Sequence, residues 1–213
     1  MALLAACLQP GESNMVGIHR IVEAHAASRG SEVALTGPDG VITFRELNQR
    51  ANGLARYLIE QGLRRGSRAV VKMERCPELA VALLAILKAG AAYTWLDLRE
   101  GDMWPVGISL VRDDDGAHQA HVVIDIRDAI AASSRPAPNL PILTRGHDIA
   151  CVMPQRNGLP GVLVPHATIA ALQSHPLPEP ARWSSEPGAL DLWLPLMAGV
   201  PVMLTPAAEP AAA

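Results

Sequence analysis

Residues 68 to 97 constrain the fold more than any other stretch of the chain. Arg68 to Met73 reads as a buried strand whose apolar centre is Ala69-Val70-Val71. Pro77 then opens a helix carrying Leu79, Val81, Ala82, Leu83, Ala85, Ile86 and Leu87. That helix is apolar on nearly every side, which places it between packed layers rather than on a surface. Gly90 stops it, and a second strand runs on to Asp97. Strand, helix and strand in this order form a βαβ unit, which implies parallel strands. The unit predicts an α/β fold: a mixed, mainly parallel sheet flanked by helices, with Val70, Leu83, Leu84, Ile86, Leu87 and Val152 in the core.

The remaining chain supplies further elements of the same class. Residues 1–14 read as a loosely ordered N-terminus, residues 15–205 as a single α/β domain, and residues 206–213 as a disordered tail. Val16 to Ser28 places Ile18, Ile21, Val22 and His25 at helical spacing, with His19 and His25 read as helix-surface residues. Glu32 to Thr36 and Val41 to Phe44 flank the turn Gly37-Pro38-Asp39-Gly40 as a hairpin at one side of the sheet. Thr43 and Glu46 form a capping box for the helix that follows, whose apolar face is Leu47, Ala51, Leu54, Ala55, Leu58 and Ile59. His121 to Ile126 reads as a strand, Asp128 to Ala132 as a short helix, and Ser133 to Pro141 as a proline-rich connector. The cluster Asp113, Asp114, Asp115, His118 and His121 has metal-ligand chemistry, but an acidic run ending in glycine reads as a solvated turn, and no metal is expected.

Asp148 to Met153 and Gly161 to His166 read as two strands around Pro154-Gln155-Arg156-Asn157-Gly158-Leu159-Pro160. This frame resembles the phosphate-loop region of adenylate-forming, AMP-binding enzymes, and most closely the adenylation domains of nonribosomal peptide synthetases. Ile42-Thr43-Phe44-Arg45-Glu46-Leu47 is similar to the first core motif of that family. Leu87-Lys88-Ala89-Gly90-Ala91-Ala92-Tyr93-Thr94-Trp95-Leu96-Asp97 is similar to the second, with Trp95 and Leu98 where prolines are usual. Leu190 to Leu204 resembles a third segment, a helix leading through Ala-Gly into a strand. The resemblance implies a Ser/Thr/Gly-rich loop closed by Lys-Gly, whose hydroxyls, amides and lysine hold the ATP phosphates. Here that loop has no Ser, Thr or Lys, and its two prolines remove two N–H donors. Arg156, Asn157 and Gly158 are what is left to meet a phosphate, the guanidinium of Arg156 being suited to an anion. The family's Phe-Asp-x-Ser segment, whose aspartate holds the substrate amino group, aligns with Ser185 to Gly188, where Glu186 alone keeps the acid.

Composition limits the alternatives. A net charge of −3 with one Phe and two Tyr offers neither a basic stripe nor stacking aromatics for nucleic acid. The longest apolar run, Leu79 to Leu87, is much shorter than a membrane span. Cys7, Cys76 and Cys151 are scattered without C-x-x-C spacing, which fits a reducing cytoplasm. Leu4-Ala5-Ala6-Cys7 lacks the basic residues and the apolar length of a lipoprotein signal. The family continues well past the point at which this chain ends, so the expectation is a truncated, degenerate N-terminal part. Its expected function is non-catalytic, without a cofactor: protein–protein contact with a synthetase or accessory protein in nonribosomal peptide or related secondary-metabolite biosynthesis, as a homodimer or hetero-complex. The alternative is one part of a split AMP-forming, amino-acid-activating ligase completed by another chain.

Overall fold

The computed structural model describes residues 17–37, 40–96, 107–111, 120–141, 144–153, 161–174, 177, 181–183 and 190–204. The readings made for residues 1–14, 99–106, 112–119 and 206–213 lie outside them.

The βαβ unit forms as its sequence dictates. β3 (Arg68–Lys72) and β4 (Ala92–Leu96) pair in parallel through α3 (Pro77–Lys88). Every residue of α3 from Leu79 to Lys88 is buried, because it packs against both strands it joins and against neighbouring helices. Before it come α1 (Ile18–Ser28), the hairpin β1 (Val33–Gly37) and β2 (Gly40–Thr43), and α2 (Phe44–Glu60). The capping box at the start of α2 is present: Glu46 N–H donates to Thr43 Oγ1, and Thr43 N–H donates to the Glu46 carboxylate. After β4 follow β5 (Gly107–Val111), β6 (Ala120–Ile124), α4 (Ile126–Ser133), β7 (Ile149–Met153) and β8 (Val162–Pro165). The described chain ends in α5 (His166–Ala171), β9 (Arg182–Trp183), α6 (Leu190–Ala198) and β10 (Val202–Leu204).

The α/β class and the flanking helices are as expected, and the strands divide between two mixed sheets. Six strands run in the order β6-β5-β3-β4-β7-β8, and four in the order β2-β1-β10-β9. Parallel pairing holds the centres, β3 with β4 and β4 with β7 in one sheet and β1 with β10 in the other. Antiparallel pairing joins β3 to β5 inside the larger sheet and forms the hairpins at the edges, β7–β8 and β5–β6 there and β1–β2 in the smaller. The predicted core residues Leu83, Leu84, Ile86, Leu87 and Val152 are buried, whereas Val70 is half-buried. A strand alternates its faces, and in β3 it is Ala69 and Val71 that point inward.

Two aromatic contacts tie β4 to the segments that complete the smaller sheet. Trp95 of β4 lies 5.6 Å from Trp183 of β9, centroid to centroid. Trp193 of α6 donates its indole N–H to the Tyr93 hydroxyl at 2.6 Å.

Candidate functional site

The hairpin β7–β8 frames residues 154–160, and its register closes with Met153 opposite Val162 and Val152 opposite Leu163. Gly161 at the loop's exit admits no side chain, since a Cβ there would stand 2.6 Å from Val152 Cγ1 and 3.1 Å from the Met153 carbonyl. The frame read from the sequence is therefore a real hairpin with a glycine at its tightest point. The candidate phosphate residues Arg156, Asn157 and Gly158, and the candidate acid Glu186, lie outside the described residues.

The foot of this hairpin is held by charge. Asp148 accepts the Arg145 N–H at 2.7 Å and a two-pronged guanidinium from Arg65 at 2.9 and 3.2 Å. Burial of the carboxyl opposes its ionisation, yet the Arg145 N–H and Arg65 outweigh that and hold Asp148 below the usual carboxylate range. The side chain of Arg65 also covers Gly90, so the turn that ends α3 and the foot of the hairpin share one clamp. At the other side of the foot, His166 is fully buried and its Nδ1 accepts the Ile18 N–H of α1 at 3.2 Å. Burial pulls His166 down to about 4, against the opposing charge of Asp148.

Behind the hairpin the interior carries more ionisable groups than its sequence suggested. Lys88, at the end of the apolar helix α3, is buried and paired with Glu23 of α1, which also accepts from Arg20 at 2.8 Å. Burial lowers Lys88 to about 8, with the Glu23 charge working the other way. His19 and His25, read as surface residues, are both buried, because α1 packs on α2, α3, α5 and α6 and has little free face. Burial, then the neighbouring His166, Lys88 and Arg20, lowers His19 well below its ordinary value. Tyr93 and Cys151, opposite each other in β4 and β7, are raised by burial, the thiol to about 11, so both are neutral at pH 7. These groups can position the hairpin and α6; none is a poised nucleophile. Among the described residues no group of three or more His, Cys, Asp or Glu side chains could hold a metal ion.

Sequence reasoning missed Lys88, Glu23, His166 and the Arg65–Asp148 clamp. A signal existed for the first: a base at the end of an otherwise apolar helix must find a partner once buried.

Residues 22–102 match the family described as AMP-binding enzyme. Surfactin synthase subunit 2 of Bacillus subtilis (strain 168) is 34% identical over 173 residues, a match spanning 74% of this chain and 5% of that protein. The fold is similar to an artificially fused adenylation-PCP di-domain, NpsA-ThdA from Klebsiella oxytoca, at a TM-score of 0.74 and 24% identity, over 92% of this chain and 41% of that one. The Klebsiella oxytoca NpsA N-terminal subdomain, in complex with 3-hydroxyanthranilyl-AMSN, matches at a TM-score of 0.70 and 25% identity, over 91% of this chain and 54% of that one. The chain thus spans a small part of the curated relative and about half of the matching subdomain. Residues 22–102 are thus similar to the AMP-binding enzyme family, and the fold as a whole is similar to the adenylation structures from Klebsiella oxytoca.

Proposed function

We propose that this chain is a non-catalytic adenylation-like protein that works by contact with a synthetase or accessory protein of a nonribosomal peptide or related secondary-metabolite pathway. The observation that carries this reading is the content of the loop between β7 and β8. Pro154 to Pro160 has no Ser, Thr or Lys, so the hydroxyls and the lysine that would stabilise phosphate charge in a transition state are missing from it, and Arg156 is left as its one charged donor. The hairpin around that loop keeps its register, its glycine and its clamp. Selection that preserved packing but not the phosphate donors favours the use of a folded surface, since core substitutions commonly cost on the order of one to several kcal/mol. Exposed apolar side chains on edge strands, Val41 on β2, Val123 on β6, and Val162 and Leu163 on β8, support a role exercised by contact. Among the described residues no helix is long and apolar enough to cross a membrane.

The test is ATP–pyrophosphate exchange with a panel of amino acids and aryl acids, run on the purified chain and again with a co-expressed synthetase. The expected result is no exchange above background for the chain alone and no increase on adding it to the synthetase. Exchange by the chain alone overturns the non-catalytic reading.

A second reading is one part of a split AMP-forming ligase. It is favoured by the matching NpsA N-terminal subdomain, which holds 3-hydroxyanthranilyl-AMSN. Under this reading, exchange emerges only when a second chain is present, and substituting Arg156 or Glu186 reduces it.

A further inference from the structure

We infer that α1 is an acid-released strap, fastened at one end to the foot of the β7–β8 hairpin by His166 and at the other to the end of α6 by His25, both as neutral imidazoles. The two fastenings are separate in space and alike in chemistry. The N-cap of α1 is Gly17, which offers no side chain, so the Ile18 N–H is one of the donors a helix start leaves unpaired. His166 Nδ1 accepts it at 3.2 Å. A ring nitrogen that accepts carries no proton, which assigns the proton of His166 to Nε2. At the other end His25 Nε2–H donates to the Met197 carbonyl of α6 at 2.8 Å, and Arg29 Nη2 donates to His25 Nδ1 at 2.7 Å. That Nδ1 is therefore bare as well.

A second proton has no place on either ring. On His166 it would turn Nδ1–H against the Ile18 N–H; on His25 it would turn Nδ1–H against a guanidinium. Neither ring can swing out to water, since His166 is fully buried and His25 is buried with its ring 5.5 Å from Phe44. His19 lies edge-on to His166 at 6.0 Å and is a third buried imidazole in the same seam.

The surrounding charges do not supply a counter-ion. From α3 comes Lys88, and from α1 itself Arg20 and Arg29, all cationic. Arg45 of α2 lies against Gly30, just beyond α1. Of the acids, Glu23 is engaged by Lys88 and Arg20, and Asp148 by Arg65, while Glu32 pairs with Arg29 at 3.6 Å. α5 carries no charged residue, and Asp191 of α6 lies near Tyr93. Burial is the largest influence on all three imidazoles and holds each below its ordinary value, against the pull of Asp148 on His166 and of the Met197 carbonyl and Glu32 on His25. The unfolded state thus binds more protons, so this stability is complete above about pH 6.5 and falls away as pH drops below it.

Hydrogen–deuterium exchange of the full chain tests the strap, read at about pH 7.5 and about pH 5 and corrected for the intrinsic rate. Peptides of α1 are expected to lose protection by roughly tenfold or more relative to peptides of α2 and α3, as befits a group held near 4 that regains its ordinary range. The double variant H166N/H25Q replaces each imidazole by an amide that presents the same acceptor or donor and does not titrate. It should keep α1 protected at the lower pH. Equal behaviour of α1, α2 and α3 in the wild type overturns the inference. So does an undiminished acid loss in the folded double variant. If the double variant does not fold at neutral pH, the wild-type comparison and H25Q alone decide, H25Q being expected to protect the C-terminal half of α1 at the lower pH.

Discussion

At the scale of single residues, the interior holds a lysine at the end of a nearly continuous apolar helix and, opposite it, a glutamate on an amphipathic one. Removing two ions from water costs several kcal/mol each, and their mutual attraction repays this only while both remain. Lys88 has no exposed side-chain surface and Glu23 only 5%. Lys88→Ala should therefore destabilise the protein by about 2–4 kcal/mol, because it leaves the buried Glu23 carboxylate with only the partly exposed Arg20 as a partner. The double variant Glu23→Leu with Lys88→Met should return close to wild type or exceed it. Urea unfolding followed by tryptophan fluorescence measures both, and a harmless Lys88→Ala would show that Glu23 is neutral or solvated. Lys88 also lies in the stretch that resembles the second family motif, so here that position has a packing role within α1 and α3.

At the scale of elements, local rules account for most of what forms. Thr43 and Glu46 cap α2 with both halves of the box in place, and α3 begins at Pro77, where a missing N–H does no harm. The end of α6 depends on more than local rules. Gly199 follows the helix at φ +74°, and a Cβ there would meet Arg29 Nη2 at 1.5 Å. That guanidinium is the one bonded to His25, so the turn after α6 and the end of α1 occupy one space. Gly199→Ala should cost about 1–3 kcal/mol from the left-handed backbone alone, with a further loss from displacing Arg29. Thermal unfolding checks this; an unchanged midpoint would mean that Arg29 and the turn move freely.

At the scale of the whole molecule, the two sheets are joined through β4. Trp95 and Trp183 meet across them, and Trp183 is fully buried. Buried apolar side chains of both sheets belong to one continuous cluster that runs from Ile18 to Leu204. Unfolding is expected to be a single transition, coincident by far-ultraviolet circular dichroism and by tryptophan fluorescence. Trp183→Ala should cost about 3–5 kcal/mol and separate the two transitions, because the cavity falls where the sheets touch. Coincident transitions in that variant would place the coupling elsewhere, with Tyr93 and Trp193 the next pair to remove.

The sequence by itself determined the elements whose signals are local. The βαβ unit of residues 68–97, the capping box and the hairpin frame around residues 154–160 each follow from periodicity, a stop residue or a cap within a few positions. Tertiary structure alone decided which of these local units pair with one another. Leu35 pairs with Val202 and Tyr93 with Cys151, contacts that no local pattern encodes, and they are what divides the strands between two sheets. It also decided which polar residues are inside. His19 and His25 lie on a helix that looks amphipathic in isolation, and only the packing of four other helices on α1 narrows its solvent face to the side of Ala24, Ala27 and Ser28. Of the candidate site, the frame was legible because strand and glycine signals are short-range, whereas the clamp of Arg65 on Asp148 joins residues 83 positions apart and exists only once the chain has closed.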